Sequence, residues 1–224
     1  MPVFDKIAHE YDQWYNTKLG NFADKVEKDL AFRLFTPEKG MKVLDVGCGT
    51  GLFSMRLAEM GCKVTGVDVS KEMLAIAREK AKKENLEIDF RAMDVYDLDF
   101  ADESFDAVLS MATFEFVKSP KEAYYEMFRV LRKDGKMLIG TINRDSRWGK
   151  LYMSNSIREN SVFKYADFKT IEEIKNLDHK NVKDWGECLF VPPDSFEQDI
   201  NMDTENKLSK TESGGFFCVL FGKD

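Results

Sequence analysis

Short apolar runs alternate with amphipathic stretches along most of this chain. The runs are "KVLDV" (42–46), "KVTGV" (63–67), "IDFRA" (88–92), "FDAVLS" (105–110) and "KMLIGTI" (136–142). Each is short enough for a strand. The intervals carry apolar residues at helical spacing, which predicts helices over 51–60, 70–84 and 120–132. Ser70 is a good N-cap, with Met73, Leu74 and Ala77 on one face behind it. "KDG" (133–135) reads as the glycine stop of the third helix. Strands alternating with helices predict an α/β architecture with a mostly parallel sheet.

The flanks extend the pattern. Residues 5–15 and 21–35 read as aromatic-rich helices, and 168–178 as a helix capped by Thr170 or Asp167. "GECLFV" (186–191) and "GGFFCVLFG" (214–222) are two further strands. The last is apolar on both faces from Phe216 to Phe221, which suits a strand inserted between two others. The polar stretch 192–213, with its "PPD", is a loop, a short helix or partly mobile. No repeat, low-complexity tract or linker interrupts the chain, so one domain is expected over 1–224.

Composition narrows the function. The chain has 224 residues, 43% hydrophobic and 33% charged, as expected of a globular protein with one sizeable core. No apolar run approaches the ~18 residues of a membrane span. The start, "MPVFDKIAHEYDQWY", carries acids and aromatics where a signal peptide is basic and then apolar. A cytoplasmic protein without membrane insertion is expected. The formal net charge of −7 argues against non-specific binding to nucleic acid. Cys48, Cys62, Cys188 and Cys218 are scattered and the only histidines are His9 and His179, so no metal is expected.

The candidate chemistry lies in "VLDVGCGTGLF" (43–53), where Gly47, Gly49 and Gly51 follow a strand and precede a helix. Such a turn aims backbone amides and a bare surface at a ligand. A dinucleotide fingerprint, G-x-G-x-x-G, does not fit, because Leu52 or Ser54 stands where its third glycine belongs. The pattern is D-x-G-x-G-x-G, beginning at Asp45. It resembles the signature of class I S-adenosylmethionine-dependent methyltransferases. The stretch "VLSMATFEFV" (108–117) resembles a segment of the small-molecule methyltransferases related to ubiquinone and menaquinone biosynthesis, with Phe116 where many relatives have histidine.

The resemblance implies a Rossmann-like sheet of seven strands in the order 3-2-1-4-5-7-6. The last strand is antiparallel, helices cover both faces, and an N-terminal helical lid spans 1–36. The cofactor-binding core is expected over 41–145 and the substrate-side helices and final strands over 146–224. The implied cofactor is S-adenosyl-L-methionine, leaving as S-adenosyl-L-homocysteine. Its implied contacts are the turn residues Asp45, Gly47, Cys48, Gly49 and Gly51. Asp68 would accept from the ribose hydroxyls, with Val69 and Met73 against the adenine; Met73 also reads as core. Asp94 and the Val95 amide would reach the ring edge, with Asp97 and Asp99 as rival acids. Ser110 and Met111 would lie beside the methionyl part, and Tyr11 and Tyr15 at the sulfonium or in plain core contacts. The implied partner is a small-molecule acceptor of unknown identity. No catalytic residue is assigned; Tyr11, His9, Glu115, Tyr124 and Tyr152 are the conceivable bases. A module that binds the cofactor without turnover and a nucleotide-dependent oxidoreductase are the alternatives. The oligomeric state is not legible.

Overall fold

A computed structural model describes residues 2–224. In chain order the elements are α1 (Ala8–Tyr11), a 3-10 turn (Asp12–Asn16), α2 (Lys18–Leu34), β1 (Lys42–Val46), α3 (Leu52–Glu59), β2 (Lys63–Asp68), α4 (Lys71–Lys83), β3 (Ile88–Ala92), β4 (Phe105–Met111), α5 (Pro120–Val130) and β5 (Leu131–Ile142). There follow α6 (Arg147–Met153), α7 (Asn155–Arg158), α8 (Ile171–Lys175), β6 (Val182–Cys188), α9 (Met202–Leu208) and β7 (Phe216–Gly222).

The seven strands form one sheet in the order β3-β2-β1-β4-β5-β7-β6, as the resemblance implies. β1 to β5 run parallel, and β7 lies antiparallel between β5 and β6. Every residue of β7 is buried, which accounts for its unbroken apolar run. On one face, α2 and α3 place Val26, Leu30 and Leu57 against Val43, Val64 and Leu109, while Leu74, Ala77 and Ala81 of α4 surround Phe90. On the other face, α5 buries Ala123, Tyr124 and Met127 against Val46, Val108 and Phe221. The crossovers leave the C-terminal ends of β1, β2, β3 and β4 side by side, where ligands bind in open α/β sheets.

Four expectations need correction. "KDG" does not end α5, which stops at Val130. The chain passes directly into β5, and a register shift opposite Phe105 and Ala107 lets Asp134 bulge at φ +59°. The Asp134 N–H donates to the Lys223 carbonyl at 2.7 Å, so the bulge is tied to the chain end. Only the first half of "GECLFV" lies in β6, which starts earlier and covers Val182–Cys188. β6 ends there because the buried carboxylate of Glu205 takes the N–H groups of Leu189 (2.6 Å) and Val191 (2.9 Å) away from the ladder. The helix expected at 168–178 shrinks to α8, closed at its start by a capping box between Thr170 and Glu173, so Asp167 is not the cap. The expected helix 5–15 is broken into α1 and a 3-10 turn. The stretch 192–213 contains α9, capped by Asn201.

Candidate functional site

The three glycines of the β1–α3 turn all have positive φ: +72° at Gly47, +52° at Gly49 and +81° at Gly51. Each meets a different demand. A Cβ on Gly47 would lie 2.3 Å from the Thr113 side chain, so this glycine lets β1 and the turn after β4 close on each other. A Cβ on Gly51 would press on Phe90 and Ala77, so this one seats the start of α3 against α4 and β3. A Cβ on Gly49 would meet nothing within 4 Å. Only the middle glycine presents bare backbone to open space.

That space is a cavity of about 420 Å³, within the range usual for small-molecule sites. Its floor is the glycine turn and the ends of the strands. Asp68, at the end of β2, accepts the Gly49 N–H at 2.9 Å through one oxygen and the Ser70 N–H at 2.8 Å through the other. Burial raises its pKa, while those backbone donors pull it down. The carboxylate thus holds the turn in shape and still lines the cavity.

Below it, Asp45 is buried and accepts the Ser54 hydroxyl at 2.6 Å. Burial pushes its carboxyl up to about 6, against the Ser54 hydrogen bond. Ser54→Ala is expected to cost about 1–2 kcal/mol near pH 7, because a buried acceptor loses its donor. Urea unfolding measures it, and an unchanged midpoint would mean that the bond contributes nothing.

The roof is the N-terminal segment. Phe4 stacks edge-on against Phe116 at 4.8 Å and against Tyr11 at 5.9 Å, and Tyr11 lies 6.0 Å from Tyr15. Three polar ties hold this cover to the floor. Asp5 accepts the Ser70 hydroxyl at 2.6 Å, and Asp12 accepts the Thr50 hydroxyl at 2.7 Å and Lys80 at 2.8 Å.

Of the expected residues, Tyr11, Tyr15, Asp45, Gly47, Cys48, Gly49, Asp68, Val69, Met73, Asp94, Val95 and Met111 line this one cavity. Gly51 does not, since its free face is filled by Phe90 and Ala77. Ser110 does not either; it is fully buried on β4 and its hydroxyl has no partner. Burial keeps the Cys48 thiol protonated.

Among the conceivable bases, only Tyr11 reaches the cavity, and burial pushes its phenol up to about 12. Tyr124 and Tyr152 are raised by burial as well and lie outside the cavity wall. Glu115 is buried with one oxygen accepting the Ile142 N–H at 2.7 Å, which anchors the loop after β5.

Two acids on α2, Asp24 and Glu27, also line the cavity, and the motif pattern does not reveal them. The available signal was an acid in an apolar stripe. Glu27 falls among Ala23, Leu30, Ala31 and Leu34, all buried. Burial, reinforced by Asp24 and Glu115 and opposed by Arg56, pushes the Glu27 carboxyl up to about 8. Among the described residues no group of three metal-ligating side chains occurs, and no helix is long and apolar enough to cross a membrane.

Comparison with known proteins bears on this geometry. The family model for a methyltransferase domain matches residues 44–139. An uncharacterized protein of Methanocaldococcus jannaschii is 37% identical over 82% of this chain and 83% of its own length. The phosphatidylethanolamine N-methyltransferase of Cereibacter sphaeroides is 39% identical over 60% of this chain and 67% of its own. A SAM-dependent methyltransferase of Thermotoga maritima, described as a possible histamine N-methyltransferase, superposes with a TM-score of 0.75 at 27% identity, covering 99% of both chains. The glycine turn, the strand order and these relatives agree: the chain belongs to the class I S-adenosylmethionine-dependent methyltransferases.

Proposed function

We propose that this enzyme methylates a small-molecule acceptor inside the covered cavity, with S-adenosylmethionine lying across the ends of β1, β2 and β3 and reaching β4. The observation that carries the placement is the open face of Gly49 beside the Asp68 carboxylate. A backbone without Cβ next to a half-buried acceptor suits a ligand that brings hydroxyl donors close to the main chain. Asp68 holds the ribose hydroxyls. Val69 and Met73 flank the adenine, and Asp94 and the Val95 amide meet its edge. Asp45, Gly47, Cys48 and Gly49 form the bed for the amino-acid part, with Met111 at its side. Tyr11 and Tyr15 cover the sulfonium, where aromatic faces favour a desolvated cation by ~0.5–2 kcal/mol.

When bound, the cofactor supplies an electrophilic methyl group and departs as a neutral thioether. The chain contributes orientation and the exclusion of water under Phe4, Tyr11 and Phe116. The enclosed volume supports a small acceptor.

Titration calorimetry tests the placement. Both S-adenosylmethionine and S-adenosylhomocysteine are expected to bind one to one, and NAD is not. Release of S-adenosylhomocysteine in the presence of a metabolite extract then reports turnover. Failure of both adenosyl ligands to bind overturns the placement. Binding without turnover of any small molecule removes the proposed acceptor class.

A further inference from the structure

Glu27 stands where α2 should carry an apolar side chain. Its neighbour Asp24 is ion-paired with Arg56, whose guanidinium also lies over the Phe53 ring at 5.2 Å. Glu27 itself has no hydrogen bond or ion pair to any described residue, although its carboxyl reaches the cavity. A half-buried carboxylate without a donor or a cation is costly to keep charged. A ligand that brings the missing positive charge removes that cost. The same wall carries Tyr11, Tyr15 and Phe53, whose ring faces also favour a cation.

We propose that this end of the cavity recognises the methyl acceptor through an amine, with Glu27 as the residue that receives its ammonium group. The inference rests on the proposed placement of the cofactor on the glycine turn, with its sulfonium under the same Tyr11 and Tyr15 that face Glu27. It names the acceptor class that the cavity is built to take: a small primary or secondary amine bearing an apolar or aromatic body.

The proton chemistry follows from the surroundings. The groups facing Glu27 are Asp24 on its own helix, Arg56 of α3, Glu115 after β4, Tyr11 and Tyr15 of the cover, Tyr152 of α6, Cys188 of β6 and Cys218 of β7. Arg56 is the only cation among them, and Asp24 already engages it. The carboxyl titrates at about 8, and an alkylammonium near ~10. Between these values both partners are charged and attract. Transfer of one ammonium proton to the carboxylate breaks N–H and forms O–H. It discharges both groups and frees the nitrogen lone pair. Burial raises the carboxyl toward the ammonium, so the acidity gap for that transfer is narrower than for an ordinary glutamate in water. The proton later leaves Glu27 to solvent.

The test uses the full chain saturated with S-adenosylhomocysteine. The probes are 2-phenylethylamine, n-butylamine and ethanolamine, each against the alcohol of the same skeleton, titrated by calorimetry at pH 8.5. At least one amine is expected to bind ten times or more tightly than its alcohol. Glu27→Gln is expected to weaken that amine at least tenfold while S-adenosylhomocysteine affinity stays within twofold. On the wild type, amine affinity is expected to fall at least tenfold from pH 8.5 to 6.5, as the carboxyl takes up its proton; this arm does not depend on the variant folding. Equal binding of amine and alcohol, no amine binding at millimolar concentration, or pH-independent affinity overturns the inference. If S-adenosylhomocysteine binds and the amines do not, the amine reading alone falls. If S-adenosylhomocysteine itself does not bind, the cofactor placement fails and the amine reading falls with it.

Discussion

Gly49→Val is expected to abolish S-adenosylmethionine binding, by a hundredfold or more, while the sheet stays folded. The expectation comes from the contrast among the three glycines. At Gly49 the protein leaves the Cβ position open, with no atom within 4 Å of an added Cβ. The branched carbons of valine project into the space assigned to the ligand. The backbone there has φ +52°, a region a β-branched residue enters at a cost of ~1–2 kcal/mol or more. The loss therefore combines occupied volume with a turn that relaxes away from its bound shape. Calorimetry reads the affinity, and a circular dichroism melt reads the fold. Gly47→Val is the informative contrast, because its Cβ collides with Thr113 and the damage should appear first in the melt. If Gly49→Val folds and binds S-adenosylmethionine as the wild type does, the turn does not serve the cofactor.

Asp68→Ala is expected to weaken S-adenosylmethionine by about 2–4 kcal/mol, the loss of two hydrogen bonds to a charged acceptor. The structure adds a second consequence. Both carboxylate oxygens already accept backbone N–H groups, from Gly49 and Ser70. Removing them frees the turn on one side and the cap of α4 on the other, at a cost of about 1–2 kcal/mol in urea unfolding. Asp68→Asn separates the effects. It keeps an acceptor oxygen for one backbone donor but loses the charge, so its stability is expected to lie nearer the wild type than its affinity does. Unchanged affinity in both variants would place the ribose elsewhere.

The parallel part of the fold was legible because its central strands β1 and β4 are buried almost throughout and its helices are amphipathic, so the two periods alternate cleanly. β7 was legible for the same reason. β6 was not. It is the sheet edge, and Lys183, Asp184 and Trp185 are exposed, so its strand lacks an apolar run. The apolar "CLFV" that drew attention lies mostly beyond the strand, held there by Glu205 across sixteen residues of sequence at Leu189. The bulge at Asp134 was hidden for a related cause: a lysine-aspartate-glycine sequence stops helices and bulges strands equally well.

At the site, the ends of β1 to β4 were readable through spacing. The glycines were readable as a group but not one by one, since which of them faces solvent depends on Thr113 and Phe90, distant in sequence. Glu27 belongs to no motif. It became visible only when the stripe of α2 met the cavity.

The cover over the cavity has a kinetic consequence. Its ties end on Thr50 of the glycine turn, on Lys80 of α4 and on Ser70, the cap of that helix. The cover is therefore tied to the stretch of chain proposed to hold the cofactor, and release of a ligand bound beneath it is expected to require those ties to open. The Asp12–Lys80 pair is partly solvated and contributes only about 0–1 kcal/mol, while the other two ties are single hydroxyl-to-carboxylate hydrogen bonds. So few ties are expected to form a low gate, of the sort that opens on the microsecond to millisecond scale. Ionic strength screens the Asp12–Lys80 arm directly, so added salt acts on the residence time of the spent cofactor before it acts on the fold.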